Sequence, residues 1–245
     1  MCIIAIKPQG KKMFDDNTIT TMFINNPDGA GYMFYDKDTK KVCIKKGFMT
    51  CKALLSSLHS KDFTDTNVVL HFRIGTSGLN DKLNCHPYPL YQINDTKCSC
   101  DIAMAHNGIL KDFNPPKGSK INDTQTFIKE VLNQLKKGFL YDADKILLIK
   151  KLIGTSKLAF LTDKNQVITI GNFITDDDYM YSNNSYKQKT LYDWHKPAVT
   201  KSVSKKSEDS KCVSKTYQLT EDDLGIWQDY EPNEFWDDWD KRHPW

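Results

Sequence analysis

No run of this 245-residue chain approaches the roughly 18 consecutive apolar residues that a membrane-spanning helix needs. Only six apolar residues, Met1 to Ile6, precede Lys7, too few for the core of a secretory signal peptide. Membrane insertion and export are therefore not expected. Cysteine is sparse and uneven. Seven residues, an odd number at irregular spacing, do not make the disulfide framework of a small secreted domain, and a reducing cytoplasm is the expected setting. A glycine-rich phosphate loop and a paired-carboxylate site are also missing. Cys98-Ser99-Cys100, taken with Cys85 and His86, lacks the Cys-x₂₋₄-Cys spacing of a zinc site and has no second pair to complete four ligands. No metal and no other cofactor is expected. Strong net charge is absent too, but the value of +3 is a balance of unlike parts. Residues 1–218 hold 32 Lys and Arg against 22 Asp and Glu, and residues 219–245 hold 2 against 9. The lysine excess is diffuse, without clustered arginines or interleaved aromatics, so nucleic-acid binding is not expected.

What is present reads as alternating strands and helices, followed by a change of character. Apolar residues 2–6 predict a first strand, and Asp15 or Asp16 opens a helix that runs to about Asn25 and stops at Asn26-Pro27-Asp28-Gly29. Residues 31–35 and 41–45 predict a hairpin. Thr50 caps a short helix with Cys51, Leu54, Leu55 and Leu58 on one face. Residues 68–72 return to strand, 75–100 read as irregular and polar, and 102–106 form another strand. Asp123 caps a helix in which Phe127, Val131, Leu132 and Leu135 recur at helical spacing. A further helix over 143–152 ends at Gly154, and 158–161 with 166–170 close a hairpin. Segregated runs of strands and helices predict α+β layers rather than a doubly wound parallel sheet. Residues 186–218 read as a Lys/Ser-rich linker. The segment from Leu219 to Trp245 is acidic and holds four of the five tryptophans, which makes it a candidate docking element for a protein partner.

The candidate chemistry starts at Cys2. Removal of Met1 gives this residue both a thiol, with a reference pKa of about 8.5, and a free α-amine near 7.7–8.0 to act as its base. Four further clusters accompany it: His71-Phe72-Arg73-Ile74-Gly75-Thr76-Ser77-Gly78, Asn84-Cys85-His86-Pro87, Ala105-His106-Asn107-Gly108-Ile109 and Asn122-Asp123-Thr124. With the turn Asp28-Gly29-Ala30-Gly31, their order resembles the glutaminase domain of class II glutamine amidotransferases, a branch of the N-terminal nucleophile hydrolases. The resemblance covers about residues 2–185. It implies a four-layer α-β-β-α sandwich of two antiparallel sheets.

It also implies roles for individual residues. Cys2 is the nucleophile, and Asn107 and Gly108 supply the oxyanion donors from a side-chain amide and a backbone N–H. Arg73 fits the substrate α-carboxylate with its planar fork, Thr76 hydrogen-bonds the ligand, and Asp123 takes the α-ammonium. His86 supports the site without transferring protons. Ile74 and Ser77 stand where many relatives carry an aromatic residue and a histidine. No acceptor-type domain is recognised after residue 185. The expected activity is thus that of a standalone glutaminase-type amidohydrolase acting on glutamine or a γ-glutamyl compound and passing ammonia to a separate acceptor subunit. The competing expectation is a catalytically silent binding protein of the same fold, acting through its pocket or its acidic Trp-rich tail.

Overall fold

The computed structural model describes residues 2–75 and 78–188 of the chain. The linker beyond residue 188 and the Trp-rich segment 219–245 lie outside the described residues. In chain order the elements are β1 (Ile3–Lys7), α1 (Asp16–Asn25), β2 (Ala30–Asp36), β3 (Lys41–Phe48), α2 (Cys51–His59), β4 (Val68–Phe72), β5 (Tyr88–Pro89) and β6 (Lys97–Cys100). They continue with β7 (Ile102–Asn107), α3 (Asp123–Glu130), α4 (Ala143–Ile153), β8 (Lys157–Thr162), β9 (Val167–Ile170), β10 (Ile174–Asp176) and β11 (Tyr179–Tyr181). Short 3₁₀ turns fill the approaches to α3 and α4.

Two antiparallel sheets result. The larger has the order β10-β11-β1-β4-β2-β3-β6 and the smaller β5-β7-β8-β9. Side-chain alternation along each strand assigns its two faces. Ile3 and Ala5 of β1 pack with Ile19, Met22, Leu54 and Leu58 of α1 and α2, while Ile4 and Ile6 point the other way, against Ala103, Ala105, Ala159 and Leu161 of the smaller sheet. Ile102 and Met104 of β7 then face Phe127, Ile149 and Ile153 of α3 and α4. The three apolar layers separate helices, sheet, sheet and helices, giving the expected α+β sandwich. Alanines line the smaller sheet's inner face, which lets the two sheets approach closely.

Local chemistry explains most element boundaries. Asp15 caps α1 by accepting the Thr18 N–H at 2.8 Å, and Thr50 caps α2 through the Ala53 N–H at 3.3 Å. The cap of α3 is Asn122 and not the expected Asp123, which occupies the first helical position. Asn122 and Gln125 form a reciprocal capping box. Nor does α3 run on to Leu135. Asn133 Oδ1 accepts the Tyr91 N–H at 2.9 Å and the Leu135 carbonyl accepts the Tyr91 hydroxyl at 3.0 Å, so contacts with that loop draw residues 132–135 out of the helix. Residues 75–100, expected to be irregular throughout, contain β5 and β6, and β6 adds an edge to the larger sheet through Cys43↔Ser99 and its neighbours. At the C-terminal end of β1, Lys7 is fully buried and donates to the carbonyls of Lys11, Phe63 and Thr64 at 2.8, 2.6 and 3.2 Å. That ammonium fixes the far end of the strand whose near end carries Cys2.

Candidate active site

Cys2 lies one residue ahead of β1, at the point where the ladder Ile3↔Phe72 begins. Its sulfur accepts the Ile74 N–H at 3.3 Å and donates to the Ile74 carbonyl at 3.4 Å, so one residue of the neighbouring strand end brackets it. Burial pushes the Cys2 thiol above its ordinary pKa, with the Ile74 N–H bond and the Arg73 charge acting the other way. The thiol is therefore protonated near neutral pH and needs a base.

Arg73 follows β4 directly and is the sole arginine among the described residues. Although 97% of its surface is buried, its guanidinium has polar company: Nη1 donates to Asn80 Oδ1 at 2.7 Å and Nη2 to the Leu79 carbonyl at 3.1 Å. The turn before β2 grips the same stretch. Arg73 N–H donates to the Gly29 carbonyl at 2.8 Å, Asp28 N–H to the Arg73 carbonyl at 3.0 Å, and Gly75 N–H to Asp28 Oδ2 at 2.8 Å. Gly29 has φ of +107°, and a Cβ there would sit 2.6 Å from Cys85 Sγ, so the turn has no room for another residue type.

Across the sandwich, β7 delivers Asn107 and Gly108. Gly108 has φ of +148°, and a side chain on it would meet Ser156 Cβ at 2.6 Å and Ser156 Cα at 2.8 Å. The backbone here comes closer to its neighbours than any Cβ allows. Asp123 sits in the first turn of α3, where a carboxylate suits the helix dipole, and accepts the Leu110 N–H at 2.8 Å and the Thr124 N–H at 2.9 Å. Cys2, Arg73, Ile74, His86, His106, Gly108, Asn122, Asp123 and Thr124 line one cavity of about 20 Å³. A space of that size holds about one water molecule.

A family model for class II glutamine amidotransferases matches residues 19–237. The chain belongs to that family. No curated protein sequence matches it. Membership carries a glutamine-amidotransferase-type function and a glutamine-like substrate. The matched stretch includes Arg73, His86, Asn107, Gly108 and Asp123 and begins after Cys2, so the case for Cys2 in this family member comes from where β1 delivers it.

Of the residues singled out from sequence, Cys2, Arg73, His86, Gly108 and Asp123 meet at the cavity. Asn107 is not among the residues that line it. Its Nδ2 donates to Ser182 Oγ at 2.8 Å, and its buried Oδ1 has no hydrogen-bond partner among the described residues. Thr76 lies outside the described residues. No helix among the described residues is long and apolar enough to cross a membrane.

Two further buried histidines, His71 and His106, have no role assigned from the sequence. His71, His86 and His106 form a stack, with ring centroids 4.1 Å apart for His71 and His86 and 6.2 Å for His86 and His106, and the His106 ring lies on the face of β7 that meets α3. The Thr124 hydroxyl lies 2.8 Å from His106 Nδ1 and 3.3 Å from His86 Nε2, and His71 Nε2 donates to the His106 carbonyl at 3.0 Å. Complete burial disfavours the imidazolium form. It lowers His71 to about 3 and His106 to about 4, the latter against the opposing pull of Asp123, and it holds His86 well below its ordinary value. All three are neutral at pH 7, and His86 accordingly has no charge to lend the cavity. The signal for His71 and His106 was present in the quoted clusters, in line with Arg73 and Asn107, but nothing in the sequence says that the rings converge.

The stack gives a pH prediction. Above pH about 6.5 the histidines are neutral in both folded and unfolded chains, and no stability depends on them. As pH falls below 6.5 the unfolded chain takes up protons that the folded chain refuses, so stability drops by about 1.4 kcal/mol per pH unit for each histidine, until the folded-state pKa values near 4 and 3 are reached. Carboxylates titrate mainly below about pH 4.3, so the interval from 6.5 to 4.5 isolates the histidines. Urea unfolding across that interval is expected to show a slope steeper than one histidine gives. A flat profile would mean that the folded protein accommodates the charged rings.

Proposed function

We propose that the chain is a glutaminase-type amidohydrolase in which Cys2, freed at its amino group by removal of Met1, attacks the carboxamide of glutamine or a γ-glutamyl compound. The observation that carries this reading is the convergence of a sulfur, a guanidinium, a glycine backbone at positive φ and a carboxylate on one small cavity. In this reading Arg73 pairs with the substrate α-carboxylate and Asp123 with its α-ammonium, which holds the carboxamide carbon before Sγ and turns an encounter into a positioned reaction. Asn107 Nδ2 and Gly108 N–H meet the oxyanion.

The steps balance without a cofactor. Sγ bonds to the carboxamide carbon while the thiol proton passes, through a water, to the α-amine of Cys2. The C–N bond then breaks, the proton moves to the departing nitrogen, and ammonia leaves a γ-glutamyl thioester. Water attacks the thioester, giving the carboxylate and regenerating the thiol. Residues 2–185 carry this chemistry in our proposal, 186–218 serve as a linker, and the acidic Trp-rich segment 219–245 recruits a separate acceptor subunit that consumes the ammonia, in the cytoplasm.

The test is ammonia release by the purified, Met1-free protein from glutamine and a panel of γ-glutamyl amides, with α-amino- and α-carboxylate-blocked analogues as controls. Release from unblocked compounds, lost on blocking either end, is expected. A protein that binds γ-glutamyl compounds without releasing ammonia would instead be a binding module of the same fold.

A further inference from the structure

Directly after β11 two side chains leave the sheet and reach the candidate machinery from behind. Strands β1 and β11 pair in register at Ala5↔Tyr181 and Ile6↔Met180, and the next ladder step joins Ser182 N–H to the Ile4 carbonyl at 2.9 Å. On the return side the backbone pattern fails. The Ile4 N–H goes to Ser182 Oγ at 2.8 Å, while the Ser182 carbonyl is taken by Lys157 Nζ from the end of β8. The same Oγ accepts Asn107 Nδ2 at 2.8 Å. One fully buried serine thus joins β1 of the larger sheet to β7 and β8 of the smaller one at the end where Cys2 emerges. An amide nitrogen has two N–H groups, and Ser182 fixes the direction of one, which sets where the other points.

Asn183 acts on the other partner. Its Nδ2 donates to the Cys2 carbonyl at 2.7 Å, and its Oδ1 accepts the Ser185 N–H at 2.9 Å, so the donor is itself held. Fixing the Cys2 carbonyl fixes the Cys2–Ile3 peptide plane and with it the Cα that bears both the α-amine and the side chain, while Ile74 brackets the sulfur itself.

We infer that Ser182 and Asn183 are positioning residues of the reaction, Ser182 orienting the Asn107 amide and Asn183 orienting the Cys2 main chain. The inference rests on the glutaminase reading above. Neither residue is within reach of Arg73 or Asp123 through any of these bonds, so their effect falls on the chemical step and not on holding the substrate's ends.

The test uses the full-length, Met1-free protein with four variants and two readouts. Asn183→Asp keeps the size and the acceptor for Ser185 but replaces the donor with a carboxylate beside Cys2. Asn183→Ala is its uncharged counterpart and stands in for it if it fails to fold. Ser182→Ala removes the hydroxyl and Ser182→Thr keeps it. Misplacing one reacting group costs about 10–10²-fold in rate. We expect kcat to fall by that factor in Asn183→Asp, Asn183→Ala and Ser182→Ala with KM little changed, and Ser182→Thr to recover most of it. The second readout is iodoacetamide labelling of Cys2 against pH. Asn183→Asp is expected to move its midpoint to higher pH, because a neighbouring negative charge disfavours the thiolate, and Ser182→Ala to leave it in place. A labelling midpoint indifferent to Asn183→Asp, or kcat losses that Ser182→Thr does not recover, would overturn the inference. If the wild-type protein releases no ammonia, the glutaminase reading falls while the labelling midpoint still decides whether Asn183 governs Cys2.

Discussion

Cys2→Ala is expected to abolish ammonia release, lowering kcat by at least ~10⁴-fold, the scale on which removal of a covalent nucleophile acts in hydrolases. Stability should hardly move. Cys2 lies outside the first ladder pair, is only partly buried, and makes its two sulfur hydrogen bonds to the backbone of a single residue, Ile74. The melting temperature is therefore the control that separates lost chemistry from lost fold. A second arm leaves the thiol intact and removes the proposed base. A chain with one extra residue before Cys2, joined through a cleavable site, keeps the sulfur but ties its amine into a peptide bond. Because burial holds the thiol above its ordinary pKa, no thiolate is at hand to bypass the amine. Such a chain should be silent until cleavage and active after it. Appreciable release from the uncleaved chain would show that another group removes the thiol proton, and the neutral His106 and His86 at the cavity would be the first to examine.

Arg73→Ala is expected to lower kcat/KM by about 10²–10³-fold, largely through KM. Losing a buried, hydrogen-bonded charge partner costs about 2–5 kcal/mol, and each 1.4 kcal/mol is tenfold. The comparison that matters is with Arg73→Lys. Lysine keeps the positive charge but not the planar fork, so it should recover only part of the affinity if the guanidinium grips a carboxylate in two parallel bonds. Arg73 also holds Asn80 and Leu79, so some loss of stability will accompany either change. Steady-state kinetics on glutamine and on its α-carboxamide analogue separates the two effects. The wild type should discriminate strongly between them and Arg73→Ala should not. Equal discrimination in both proteins would place the carboxylate elsewhere.

The parts legible in the sequence were those with a local cause. Asp15 and Thr50 announce helix starts because their side chains satisfy N–H groups three residues on, and 68–72 and 102–106 announce themselves as short, largely apolar runs of strand length. The order of the Arg73, His86, Asn107-Gly108 and Asp123 clusters identified the family before their convergence was visible. What stayed hidden was non-local. β6 is short, polar and cysteine-bearing, and it becomes a strand only because β3 offers an edge. The end of α3 is decided by Tyr91, more than 40 residues earlier. Ser182 and Asn183 carry no signal at all in a sequence of Ser and Asn residues. Their partners Ile4 and Cys2 lie 178 and 181 positions away. Asn122 took the cap expected of Asp123, which leaves the Asp123 carboxylate at the cavity.

The most direct measurement is the intact mass of the purified protein before and after treatment with a glutamine-mimicking electrophile, followed by mapping of the modified peptide. The expected result is a chain that begins at Cys2 and gains a single adduct on that residue, with glutamine protecting against it. A chain that retains Met1, or an adduct that forms on Cys51 or Cys98 and not on Cys2, would contradict the amino-terminal thiol as the centre of this site.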